Sequence, residues 1–187
     1  YKRQVQPDCS LRILEEQWNQ HLAKTIPLQH IVGRCPWRDV ELEVSPAALI
    51  PRQETELLLD LAVQRIGRTP IRRWADLGTG SGALAVVLSS EWPEADGHAV
   101  DLSSAALSLA KRNLQRCVPL HHCRLHCGSW WEPLKEWWGH FDLVLTNPPY
   151  IPSGLVAGLH PVVRDHEPQL ALAGGEDGLD AIRLLLA

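Results

Sequence analysis

Between residues 72 and 146 short apolar runs alternate with stretches of helical periodicity, and this alternation constrains the fold more than any other feature of the chain. Residues 72–77, 97–101, 124–127 and 141–146 read as four strands. Residues 81–90 and 103–116 read as helices, with Ser103 placed to cap the second. A further helix is expected over 54–66, closed by Gly67 with Pro70 beyond it, and another begins after Gly178. Strands that alternate with helices form βαβ units with right-handed crossovers, which build a parallel sheet covered on both faces. The fold class is therefore α/β, with a doubly wound and mostly parallel sheet.

The N-terminal part has a different pattern. Leu11, Leu14, Trp18 and Leu22 follow helical spacing within residues 11–25. Residues 30–44 are rich in β-branched side chains, and Cys35-Pro36-Trp37-Arg38-Asp39 offers a turn, so a β-hairpin is expected there. The main domain is expected to begin near Ser45-Pro46.

Apolar residues make up 45% of the 187, enough for a core of one domain. The formal charge of −4 speaks against a dedicated nucleic-acid surface, which is usually basic. No apolar run approaches the roughly 18 residues of a membrane span, and residues 1–10 are too polar for a signal peptide. Five cysteines, an odd number without a secreted framework, suit a reducing cytoplasm. The chain has no methionine, not even at position 1, and stops at Ala187 inside a helical pattern. It is expected to be a piece of a longer protein.

Two segments carry chemistry. Asp76-Leu77-Gly78-Thr79-Gly80-Ser81-Gly82 leaves an apolar strand and enters a helix. Glycines let the backbone turn sharply and approach a ligand, and doubly wound sheets bind ligands at the carboxyl ends of their strands. Gly78, Gly80 and Ala83 also fit a dinucleotide fingerprint, with Asp101 about 20 residues on to hold a ribose diol. The loop alone therefore does not separate NAD from S-adenosylmethionine. Asp76 favours the latter, because a carboxylate is unfavourable beside a pyrophosphate and favourable beside a sulfonium and an α-amino group. Asp101 closes the second strand and can accept two charge-assisted bonds from a ribose, although an acid before a helix also suits its N-terminus.

The second segment, Asn147-Pro148-Pro149-Tyr150, follows the fourth strand directly and is expected to face the same crevice. A planar nitrogen is a poor nucleophile because its lone pair is delocalised. The Asn147 side-chain oxygen and the Pro148 carbonyl can each accept one N–H of an NH₂ group and turn that lone pair toward a methyl donor. The two prolines fix φ and hold the carbonyl in place. Tyr150 can pack against the flat substrate group.

The segments 76–82 and 147–150 resemble the class I amino-methyltransferases, and within these the peptide chain release factor glutamine methyltransferases. Leu49-Ile50-Pro51-Arg52-Gln53-Glu54-Thr55-Glu56 is similar to that family's signature ahead of its first core helix. Residues 28–44 look like its interdomain hairpin. Residues 167–172 and 174–180 resemble its segment after the Asn-Pro-Pro-Tyr motif. The resemblance runs from about Leu28 to the end of the chain.

It implies a Rossmann-like methyltransferase sheet missing its C-terminal strands, with a short N-terminal helix and β-hairpin. Residues 1–27 would be the remnant of an N-terminal helical domain, 28–46 the hairpin linker and 47–187 the S-adenosylmethionine-binding domain. It implies methyl transfer from S-adenosylmethionine to the glutamine amide in the Gly-Gly-Gln motif of peptide chain release factors. The partner would be the release factor, with no direct nucleic acid and no membrane, and the enzyme a monomer. The expected catalytic residues are Asn147, Pro148, Pro149 and Tyr150. The expected cofactor contacts are Asp76, Gly78, Thr79, Gly80, Gly82, Asp101, Leu102, Ser129, Trp130 and Asn147.

Three features depart from the family. Gln53 stands where it usually has proline, and Ser129 where an acid often contacts the adenine amine. The chain also lacks a larger N-terminal domain and later strands. The fourth strand should then be a sheet edge with an uncovered apolar side, and the piece alone is expected to be neither stable nor active.

His121, His122, Cys123, His126 and Cys127 resemble a ligand cluster, but side chains along a strand alternate faces and cannot all converge, so no metal is expected. Trp130, Trp131, Trp137 and Trp138 lack the interleaved basic residues of a base-stacking platform and read as packing or as a wall around adenine. Lys111, Arg112 and Arg116 read as a solvated helix face. Two alternatives stay open: a DNA or RNA adenine-amine methyltransferase, which poses the same nucleophile problem, and an NAD-dependent oxidoreductase, which leaves residues 147–150 without a role.

Overall fold

A computed structural model describes residues 11–186. Residues 1–10, the first part of the expected helical remnant, lie outside them. Helices α1 (Leu11–Lys24) and α2 (Leu28–Val32) lead into an antiparallel hairpin of β1 (Arg34–Trp37) and β2 (Val40–Glu43). The expected hairpin is shorter than residues 30–44. Residues 28–32 are helical and end at Gly33 in the left-handed region. The turn also shrinks, because Cys35, Pro36 and Trp37 belong to β1 and only Arg38 and Asp39 turn, with Arg38 at φ 49°. Cys35 and Trp37 alternate inward and are both buried, and that period-two burial draws them into the strand.

Helix α3 (Glu54–Ile66) precedes the main sheet, whose strands are β3 (Arg73–Leu77), β4 (Asp96–Asp101), β5 (Cys123–Cys127) and β6 (Leu143–Thr146). Helix α4 (Ala83–Glu91) joins β3 to β4, and α5 (Ser104–Cys117) joins β4 to β5. The strand order is β5-β4-β3-β6 and every pairing is parallel. Beyond β6 come short helices α6 (Ser153–Val156) and α7 (Pro161–Arg164), then α8 (Asp180–Leu186). The α/β class and its four strands match the sequence reading. Ser103 caps α5 as expected, its hydroxyl accepting from the Ala106 amide at 3.2 Å.

Helix α4 is buried from Ala83 through Ser89, so it is apolar on every side and fills the layer against the sheet. In the sheet itself Trp74 lies opposite Gly97, and a Cβ on Gly97 would sit 2.2 Å from the indole ring. The glycine makes room for one of the two buried tryptophans of the core.

β6 begins at Leu143 rather than at residue 141. Phe141 packs edge-on against His98, and the Asp142 carboxylate accepts from the Arg72 and Arg73 amides at 2.8 and 3.0 Å, which fastens the start of β3. β6 is a sheet edge among the described residues, as expected, but its apolar side is not bare. Leu143 and Leu145 pack with the α4 core, while Val144 packs with Trp131, Phe141 and Leu185. The 3-10 turn Glu132–Trp137 and α8 supply this second covering, and the Trp131 indole donates to the Leu185 carbonyl at 3.1 Å.

The basic face of α5 does more than solvate. Arg112 donates to the Glu43 carboxylate at 2.8 Å, and Arg116 donates to the Glu41 carbonyl. Between them the buried Asn113 accepts from the Glu43 amide at 2.7 Å and donates to the Glu43 and Ser81 carbonyls at 2.9 and 2.8 Å. One side chain thus joins the hairpin, α5 and the turn before α4. Among the described residues, no helix is long and apolar enough to cross a membrane.

Candidate active site

The turn after β3 is fastened to the end of β4, since the Gly78 and Thr79 amides both donate to the Val100 carbonyl at 2.9 Å. Asp76 lies beneath it, 1% exposed. One of its carboxylate oxygens, Oδ2, accepts from the Thr79 hydroxyl at 2.6 Å, and the other, Oδ1, is buried without a partner. Burial pushes this carboxyl up to about 7, the Asp101 charge adds to the rise, and hydrogen bonding from Thr79 and from the Ala85 backbone opposes it. Asp101 is held from two sides, accepting from the Gly80 amide at 2.8 Å and from the Ser103 amide at 2.9 Å. Asp101 thus braces the glycine turn and, as the helix N-terminal reading expected, the start of α5. Each oxygen keeps a further lone pair for a ligand.

The glycine turn and the end of β6 open into one cavity of about 330 Å³. Asp76, Gly78, Thr79, Gly80, Asp101, Leu102, Ser129, Trp130, Asn147 and Pro149 all line it. Gly82 does not line it; a Cβ there would meet Ala110 of α5 at 3.0 Å, so Gly82 serves the packing of α4 on α5. Pro148 and Tyr150 also face elsewhere. They line a second cavity of about 460 Å³, at which Tyr150 is 63% exposed. The expectation that the whole tetrad faces the glycine turn is thus corrected. Asn147 and Pro149 line the first cavity, while Pro148 and Tyr150 line the second. Asn147 lines both, as do Leu49, Arg52 and Thr55.

The walls between the cavities come from distant parts of the chain. The Arg52 guanidinium donates to Glu167 at 2.6 Å, and the other oxygen of this buried carboxylate accepts from the Ile50 amide at 3.2 Å. The Trp37 indole donates to the Arg52 carbonyl at 3.1 Å, which brings the hairpin to the same wall. The Asn147 amide nitrogen donates to the Thr55 hydroxyl at 3.3 Å. Thr55 and Asn113 were not singled out in the sequence. Asn113 had a signal: it falls on the apolar face of α5 with Leu109, Ala110 and Leu114, where a polar residue must find partners. Thr55 had none.

The histidine and cysteine cluster does not converge. His126 stacks on the fully buried His98, its Nε2 lying 3.1 Å from His98 Nδ1; His121 Nδ1 accepts from the Cys123 amide; the Cys127 thiol faces the Leu102 carbonyl. Among the described residues no three His, Cys, Asp or Glu side chains are grouped to hold a metal. The tryptophans divide as well: Trp130 lines the first cavity, Trp131 and Trp137 pack, and Trp138 is exposed.

Known proteins are similar to this chain. The chain is 55% identical over 96% of its length to the release factor glutamine methyltransferase of Prochlorococcus marinus, and 42% identical over 98% to that of Thermosynechococcus vestitus. It spans 62% and 65% of the lengths of these relatives, which is less than two thirds. A solved structure of the hMettl16 catalytic domain, in complex with a 3'UTR hairpin, has a TM-score of 0.61 over 78% of this chain and 54% of that one, at 17% identity, a likeness of fold alone. The family described as methyltransferase small domain matches residues 53–159, from the loop before α3 through the glycine turn to the segment beyond the tetrad. By that match over more than half of its length, the chain belongs to the methyltransferase small domain family.

Proposed function

We propose that this chain carries the catalytic core of an S-adenosylmethionine-dependent enzyme that methylates the glutamine side-chain amide in the Gly-Gly-Gln motif of peptide chain release factors. The observation that carries the reading is the single cavity shared by the glycine turn and Asn147. The names of the relatives supply the substrate. The site in this reading serves translation termination in the cytoplasm, with the release factor as its protein partner.

The residues fit the cofactor. The unpartnered Asp76 Oδ1 is a buried anionic acceptor that suits an α-amino group, and a cation there restores the charge that burial opposes. Asp101 has lone pairs left for a ribose diol, while Trp130 and Ser129 offer a flat apolar wall and a hydroxyl for adenine. S-adenosylmethionine, when bound, supplies an electrophilic methyl group on a sulfonium.

The protein's own part is to hold the amide. From the second cavity, which Asn147 and Pro148 both line, the glutamine NH₂ gives one N–H to Asn147 Oδ1 and one to the Pro148 carbonyl, which fixes its plane and aims its lone pair. Positioning of this kind supplies several kcal/mol of the barrier. With S-adenosylmethionine held by Asp76 and Asp101, the positioned nitrogen would take the methyl group as the sulfonium's S–C bond breaks. Its proton then passes to water, because a methylated amide nitrogen is very acidic and needs no strong base. The products are the N-methylated glutamine and S-adenosylhomocysteine.

The test gives the full-length protein radiolabelled S-adenosylmethionine with either release factor or DNA. Label is expected in the release factor, and label in DNA alone overturns the proposal. Asn147→Ala should lower transfer at least ~100-fold while leaving cofactor affinity within about twofold; wild-type turnover in that variant removes the tetrad from the mechanism. The adenine-amine reading is not favoured, since the net charge of −4 does not suit a polyanion. The NAD reading still gives Asn147 nothing to do.

A further inference from the structure

A primary amide presents two different faces. A half-turn about χ2 exchanges the oxygen and the nitrogen at almost no steric cost. An asparagine that must accept an N–H from a substrate therefore gains from a neighbour that anchors its amide, and a hydroxyl can do so. Among the described residues, Asn147 has one side-chain hydrogen bond, from its Nδ2 to the Thr55 hydroxyl at 3.3 Å. That bond occupies the nitrogen and leaves Oδ1 as the group available to a ligand. In the reverse orientation an NH₂ would face the NH₂ of the substrate, two donors without an acceptor.

Thr55 is itself well fixed. It lies in the first turn of α3, where its amide donates to the Arg52 carbonyl at 3.1 Å. Arg52 is held by the buried Glu167 on one side and by the Trp37 indole on the other. A β-branched side chain is also stiff about χ1, so the hydroxyl has little freedom to move. Thr55 lines both cavities, as Asn147 does, and therefore stands where the two meet.

We infer that Thr55 is a positioning residue: its hydroxyl anchors the Asn147 amide plane where the two cavities meet, with Nδ2 held at Thr55 and the oxygen left for the amide to be methylated. This rests on the proposed role of Asn147. Thr55 touches neither reacting atom in this account and acts through Asn147 alone.

The test compares wild type, Thr55→Val, which keeps the shape without the oxygen, and Thr55→Ser, which keeps the oxygen. The first readout is the Asn147 side-chain ¹⁵N–¹H₂ pair by NMR, assigned by its loss in Asn147→Ala. Thr55→Val should shift this pair and speed its exchange with water, and Thr55→Ser should retain the wild-type signal. An unchanged pair in Thr55→Val overturns the inference. The second readout is kinetic. Losing the bond should lower kcat about 10- to 100-fold, equivalent to roughly 1.4–2.7 kcal/mol, with KM for the release factor and Kd for S-adenosylmethionine within about twofold. Thr55→Ser should recover kcat to within about threefold of wild type. A Thr55→Val enzyme with normal kcat, or one that loses cofactor affinity instead, also overturns it. If Thr55→Val does not fold, Thr55→Ala serves in both readouts with the same expectations. Should the full-length wild type transfer no methyl to the release factor, the proposed substrate is wrong, and the NMR readout still decides the role of Thr55.

Discussion

Asp76 faces opposed demands at the scale of a single side chain. The cavity gains an anionic acceptor, yet the folded protein has to bury it, and its carboxyl rises to about 7. The unfolded carboxyl titrates near 3.8, so between these values the folded state binds more protons. The associated stability is full below the lower value and is lost as pH rises through about 7. Asp76→Asn should therefore raise the Tm of the cofactor-free protein at pH 8, flatten its pH dependence between 5 and 8, and weaken S-adenosylmethionine about tenfold or more. Scanning fluorimetry and calorimetric titration read both effects, and an unchanged cofactor Kd would remove Asp76 from the site. Gly178 shows a different constraint at the same scale. Its φ is +82°, and a Cβ would meet the Tyr150 carbonyl oxygen at 2.3 Å, so only glycine lets this loop lie against the tetrad.

Among the elements, β4 and β5 are joined by more than their ladder. His98 is fully buried between His126, Trp137 and Phe141, and burial pushes its imidazole down to about 4. The His126, Arg124 and Arg73 charges add to that fall, and Asp96 opposes it. An unfolded histidine titrates near 6.5, so the unfolded state binds more protons between that value and 4. This contribution is present above pH 6.5 and lost as pH falls toward 4. Thermal melts should show Tm dropping over that range, and His98→Gln should make the drop shallower; an equally steep limb in the variant would place the acid sensitivity elsewhere. The hairpin is an element of the site as well, because Trp37 reaches Arg52 and Asn113 reaches Glu43.

For the molecule as a whole, the Arg52–Glu167 pair is the contact that holds the loop before α3 to the segment after the tetrad. Glu167 has 1% of its side chain exposed, and Arg52 37%. Removing the buried partner leaves Arg52 and the Ile50 amide unmatched. Glu167→Ala should cost about 3 kcal/mol, the low end for a broken buried pair because Arg52 is partly solvated. Denaturant unfolding measures it, and a loss below about 0.5 kcal/mol would make the pair a surface contact in energy. Turnover should fall too, since Arg52 supports the turn that places Thr55.

Much of this architecture was legible in the sequence. Periodicity, glycine torsions and the stiffness of proline act over a few residues, so the parallel α/β order, the turn from Asp76 to Gly82, the capping by Ser103 and the rigid Asn147–Tyr150 segment could be read from the chain itself. Tertiary structure alone decided which residues meet across long stretches. Thr55 and Asn147 lie 92 positions apart, Asn113 and Glu43 lie 70 apart, and Arg52 and Glu167 lie 115 apart. No local pattern encodes these contacts, because they depend on strand register and on how helices settle against the sheet. The division of the tetrad between two cavities has the same origin: the sequence supplied its four residues, and the path of the chain beyond β6 chose the side each one faces.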